Sequence, residues 1–123
     1  MLSASHIRAY QDFLTLLTEF TQITTVEKQE LNLTSLKTEF EGLSQWFKAH
    51  IVSISDRQID SRHVSAWQSV QTEILREFKL LSTDMLFLAS ARQDSTQQKR
   101  IKSIEERLNK LINYCEIMLK NNN

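Results

Sequence analysis

Proline is absent from the 123 residues, and glycine occurs once, at Gly42. Average usage would give roughly six prolines and nine glycines in a chain of this length. The deficit excludes collagen-like, Pro-rich and Gly-rich chains. It also argues against β-sandwiches and hairpin proteins, whose tight turns need residues at positive φ. Cysteine occurs once too, at Cys115, so no internal disulfide can form and a reducing compartment is the simplest expectation. Charge of one sign is missing: 15 basic residues balance 15 acidic ones, which leaves no strong overall field to draw in nucleic acid or anionic lipid. The densest apolar stretch, Met85 to Ala89, falls far short of the roughly 20 residues that span a bilayer. The first residues, Met1 to His6, lack the basic-then-apolar order of a signal peptide. A cytoplasmic protein with one domain over residues 1–123, and no membrane insertion, is expected.

What is present is helical periodicity. Apolar residues make up 41% of the chain, enough for one continuous core. The spacing predicts a first helix from about Ser5, its N-cap, to Thr21. Ile7, Tyr10, Leu14 and Leu17 form one stripe on it, and Phe13, Leu16, Phe20 and Ile23 form a second beside it. Thr24 and Glu27 have the spacing of a capping box that opens a second helix running to about Ser53. Its seam is Val26, Gln29, Leu33, Leu36, Phe40, Leu43, Phe47, His50 and Ile54, with Gly42 on the outer face. Ser55 with Gln58 caps a short turn, and Asp60 or Ser61 caps a third helix from about Arg62 to Arg92. That helix has the seam Val64, Trp67, Gln71, Ile74, Phe78, Leu81, Met85 and Leu88, in which Gln71 is the only polar member. Asp94 or Ser95 stops it, and Ser95 with Gln98 forms another capping box. The fourth helix runs to about Lys120 on Ile101, Ile104, Leu108, Leu111, Cys115 and Met118. Spacings of three and four alternate along these seams, which is a heptad pattern. Long helices with short connections predict an all-α, antiparallel up-down-up-down four-helix bundle with long helices two to four and a shorter first helix. An extended hairpin of helices three and four is the secondary arrangement.

Sites of chemistry are sparse. No glutamate has a histidine three residues on, as di-iron bundles require, and there is no His-Glu-x-x-His, Cys-x-x-Cys or Gly-rich phosphate loop. The expectation is therefore no enzyme, no cofactor and no metal. In the up-down arrangement His6, His50 and His63 fall near one end, with Asp56 and Asp60 in the loop there. A zinc site built from them lacks metal-type spacing, and a core-edge His50 with its polar tip in water is the simpler reading. Cys115, on a seam, reads as a buried small hydrophobe unless a nearby cation and exposure make it reactive.

The two halves differ in charge. Residues 1–60 carry 5 positive and 8 negative side chains, and residues 61–123 carry 10 and 7. Lys99, Arg100 and Lys102, with Arg92 nearby, oppose the dipole of the helix they begin. They either steer an acidic partner or form a solvated face beside Glu27 and Glu30. The third helix has apolar residues beyond its seam: Val70, Leu75, Leu80, Leu86 and Phe87. Val70 and Leu75 flank the seam and can complete the core. Leu80 and Phe87 are seven apart on the outward side, with Asp84 and Ala91 on the same stripe. Leu80, Asp84, Phe87 and Ala91 are thus the candidate partner-binding residues, a surface for another protein or for a homodimer, unless the first helix packs there.

Three segments in the second half carry a resemblance. Trp67-Gln68-Ser69 with Thr72-Glu73-Ile74, then Leu80 to Arg92 (LLSTDMLFLASAR), then Leu111-Ile112-Asn113-Tyr114-Cys115, resemble the PatD family of cyanobacterial heterocyst frequency control proteins. The resemblance spans Trp67 to Cys115 and implies a non-enzymatic regulator acting through the division protein FtsZ during heterocyst differentiation. It implies no set of functional residues. The alternative from the residues themselves is a self-assembling, homodimeric structural protein.

Overall fold

A computed structural model describes residues 2–26 and 33–120. Among the described residues there are helices and no strands: α1 (Ala4–Val26), α2 (Leu33–Phe47), α3 (Val64–Ser90) and α4 (Asp94–Lys120). A π-helical segment, Lys48–Val52, continues α2, and a 3₁₀ turn, Asp56–Gln58, precedes α3. The four helices pack together. α4 lies along both α3 and α1, whereas α2 meets α3 less extensively.

The first helix starts and ends differently from its expected limits. Ser3, not Ser5, caps it: the Ser3 hydroxyl accepts from the His6 backbone N–H (3.2 Å), and the Ser3 carbonyl accepts from the Ile7 N–H (3.0 Å). Buried Leu2 and half-buried Ile7 occupy the positions of a hydrophobic staple around that cap, which fixes the earlier start. At the other end Thr24 is not an N-cap. It is buried inside α1, and its hydroxyl donates to the Thr21 carbonyl at 2.8 Å. Thr15, Thr18 and Thr21 likewise donate to carbonyls four residues back. A threonine that satisfies its own hydroxyl this way can enter a helix core. The first helix therefore runs past its expected end at Thr21, covering 23 residues from Ala4 to Val26. Glu27, Gln29 and the Val26 side chain lie outside what the structure describes.

The second seam holds from Leu36 through Phe47 and then breaks. His50 is exposed and Ile51 is fully buried. The π segment is the reason. Its i→i+5 winding turns less per residue than an α-helix, so the residue brought over Phe47 is Ile51 rather than His50. Ser55 and Gln58 do form the expected capping box, around the 3₁₀ turn. Asp60 accepts from the Arg62 N–H at 3.0 Å, one turn before α3 begins at Val64. α3 ends at Ser90, and α4 begins at Asp94, so Ser95 lies inside α4. The Gln97 amide reaches back to the Ala91 carbonyl (3.1 Å) and ties the connection down.

The core follows the seams of α3 and α4. From Trp67 to Leu88, and from Ile101 to Met118, every seam residue is buried. Tyr10, Phe13, Leu17 and Phe20 of α1 join them. Phe20 lies by Phe40 and Phe13 by Phe47, with ring centroids 5.9 and 5.0 Å apart. Gly42 has an ordinary backbone and open space where a Cβ would stand.

Candidate functional site

Two side-chain systems fix how the helices sit, and they determine which surface is left open. The first is a buried hydrogen-bond chain. The Trp67 indole N–H donates to the Tyr10 hydroxyl (2.9 Å), which donates to Gln71 Oε1 (2.7 Å). Gln71 Nε2 then donates to the Ile51 carbonyl (3.1 Å), within the π segment. Gln71, the polar member of the α3 seam, thereby joins α1, α3 and the end of α2. Burial pushes the Tyr10 hydroxyl well above its ordinary pKa, so it is a neutral donor.

The second system is ionic and joins α3 to α4. Glu77 is 1% exposed, and its two carboxylate oxygens accept from Arg76 (3.1 Å) and Arg107 (3.2 Å). Asp84 is also buried. Its Oδ2 accepts from the Ser103 hydroxyl at 2.7 Å. Arg100 and the Arg107 Nε each lie 3.7 Å from an Asp84 oxygen, at ion-pair rather than hydrogen-bond distance. Arg100 also sits 4.4 Å over the Phe87 ring, a cation–π arrangement.

These contacts correct the position of the candidate stripe. Leu80 is half-buried, Asp84 is buried in the network, and Ala91 is half-buried as the C-cap of α3. Phe87 alone of the four is exposed, and Arg100 covers one face of its ring. The middle of the stripe faces α4, where Asp84 meets Ser103, Arg100 and Arg107 and Phe87 meets Arg100, while the rest of Phe87 stays open to solvent. Apolar spacing could not show this, because what turns the stripe inward is a set of charged side chains. Arg100, from the basic cluster at the start of α4, is one of them.

The open apolar surface lies on the other side of α3. There α2 and α3 diverge around a groove of about 640 Å³. Its floor is aromatic: Phe47 and Phe78 stack at 3.9 Å with planes 10° apart, and Phe40 and Phe78 stack at 5.7 Å. Met85 extends that floor, and Val52, Leu75 and Leu86 line its edges. Leu86 is 72% exposed, the most exposed large hydrophobic among the described residues. Lys37, Lys48 and Lys79 also line the groove, with Glu41 as the acidic member. Leu75, expected from its place beside the seam to complete the core, is instead exposed at the groove edge, and apolar spacing gave no role to Leu86, Val52 or the three lysines. The available signal was that Leu86 follows a seam residue, Met85, on the side away from Asp84.

No family model, curated protein or solved structure matches this chain.

The remaining candidates do not assemble a reactive centre. Among the described residues no three His, Cys, Asp or Glu side chains are grouped so as to hold a metal ion. His50 is exposed beside the Trp46 ring, 4.8 Å between centroids. His63 lies 3.8 Å from Asp60, whose carboxyl is held below its ordinary pKa chiefly by the Arg62 backbone N–H. The His6 Nδ1 is enclosed without a hydrogen-bond partner. Cys115 is fully buried, and burial, with the nearby Glu116 charge adding to it, pushes its thiol pKa up to about 12. A thiol so placed stays protonated at neutral pH and is a poor nucleophile. No helix among the described residues is long and apolar enough to cross a membrane.

Proposed function

We propose that this chain is a non-enzymatic regulatory or adaptor protein that binds a partner protein through the groove between α2 and α3. The observation that carries the reading is the aromatic-floored groove, edged by Leu86 at 72% exposure and by Val52 and Leu75. Apolar side chains gathered at one concave surface are the usual mark of a binding face. The finer architecture belongs to the same proposal: an antiparallel up-down-up-down bundle. It is supported by pairs such as Phe20 with Phe40, Ile51 with Gln71, and Asp84 with Arg100.

By its resemblance to the PatD family, the partner to try first is FtsZ, with cell division during heterocyst differentiation as the process. Co-sedimentation with FtsZ polymers tests this. The wild type is expected to co-sediment or alter assembly at micromolar concentration, and Leu75→Glu with Leu86→Glu to lose the effect. Absence of any effect from the wild type would reject FtsZ. An effect that survives the double substitution would reject the groove. The stripe variant Leu80→Glu with Phe87→Glu is the contrast: loss of activity there, with the fold intact, would return the binding face to the α4 side.

A further inference from the structure

We infer that the occupant of the groove is an acidic amphipathic helix, about four turns long, supplied by the partner. This rests on the groove being the docking face and adds the chemistry of what docks. Length comes first. The α3 wall runs from Leu75 to Ala89, and at 1.5 Å per residue that is about 21 Å, room for a helix of about 14 residues. A helix laid there with apolar residues at i, i+3 or i+4, and i+7 meets the ring floor and the Leu75 and Leu86 edges, the mode in which helices enter grooves. An added strand has no counterpart, because the described residues offer no sheet edge.

Charge then selects the partner's sign. Lys37, Lys48 and Lys79 are exposed around the groove, and Glu41 is the one acidic residue lining it. Long lysine stems can cover the flanks of a docked helix while their ammonium groups meet carboxylates beside its apolar stripe. The same lysines disfavour a second copy of this chain. A twofold interface would set the groove against itself, with lysines facing lysines. The overall neutrality of the chain hides this local bias.

The probes are two labelled peptides of about 16 residues with the same leucine stripe, one with glutamate and one with lysine on the remaining face, titrated by fluorescence anisotropy at low salt. The acidic peptide is expected to bind at least tenfold more tightly and to weaken as salt is raised. Leu86→Glu is expected to remove its binding. Lys48→Glu with Lys79→Glu is expected to reverse the preference between the peptides. Both variants alter exposed side chains, so circular dichroism should report an unchanged fold. Nile red, a neutral apolar dye, reads the groove independently of charge: its fluorescence should rise with the wild type and fall with Leu86→Glu. Equal binding of both peptides, or preference for the basic one, overturns the acidic partner while a dye response leaves the groove standing. Failure of both peptides beside a positive dye response overturns the helical occupant. A dye that does not sense Leu86→Glu overturns the groove itself. A dimer in light scattering that dissociates on Leu86→Glu assigns the face to a second copy and overturns the inference.

Discussion

Tyr10 shows how much a single polar side chain can hold. Its hydroxyl is both acceptor for Trp67 and donor to Gln71. Tyr10→Phe would leave the Trp67 N–H and the Gln71 carbonyl oxygen without this partner in a dry core. The expected cost is about 1–3 kcal/mol, read as a lower denaturation midpoint in urea. Cys115 makes a different prediction. Its thiol pKa rises from an ordinary value of 9.0 to about 12 in the folded chain. The unfolded chain therefore releases this proton first as pH rises. The contribution is fully present below about pH 9 and is lost on the way to pH 12, with a slope of up to about 1.4 kcal/mol per pH unit. Cys115→Ala should flatten stability against pH in that window, although it lowers stability at neutral pH by opening a small cavity. Native protein at pH 8 should react with a thiol reagent far more slowly than unfolded protein.

At the scale of the element, the π segment and the ionic α3–α4 contact decide most. The extra residue that the π turn accommodates at Lys48–Val52 buries Ile51 and sets its carbonyl toward Gln71. Deleting Ala49 should let α2 continue as a regular helix that still buries the isoleucine, at the cost of the Gln71 bond, so the fold should survive with reduced stability. Deleting Ser69 from α3 has no such outlet and should unfold the chain. Both are read by circular dichroism on heating. Arg107→Ala removes the α4 partner of buried Glu77 and should cost about 2–3 kcal/mol, since hydrogen bonds to buried charges are worth more than neutral ones. Gly42→Ala should raise stability by up to about 1 kcal/mol, because the glycine is helical, exposed and has open space at the Cβ position. The seams of α3 and α4 were legible because apolar spacing alone placed them. His50 was misplaced because spacing assumes uniform winding, and Thr24 because the same hydroxyl can cap a helix or be satisfied inside one. Asp84 was misread because a buried carboxylate looks, in sequence, like a surface one.

For the whole molecule, the scarcity of proline and glycine yields long helices, and the unequal contact between them yields a surface. α4 binds both α1 and α3 closely and engages Asp84 and Glu77. α2 reaches α3 through stacked rings and diverges beside them, so the groove is a consequence of the packing. The candidate site was half legible: α3 does carry surplus apolar residues, but which of them face solvent depends on where α4 docks, and no single-helix pattern contains that. Chemical-shift mapping of the isotope-labelled protein on addition of the acidic peptide locates the binding face residue by residue. The groove account predicts perturbations concentrated between Lys37 and Val52 and between Leu75 and Ala89, with α4 little affected. Perturbations centred on Phe87, Ala91 and Arg100, or spread over α1 and α4, would contradict it.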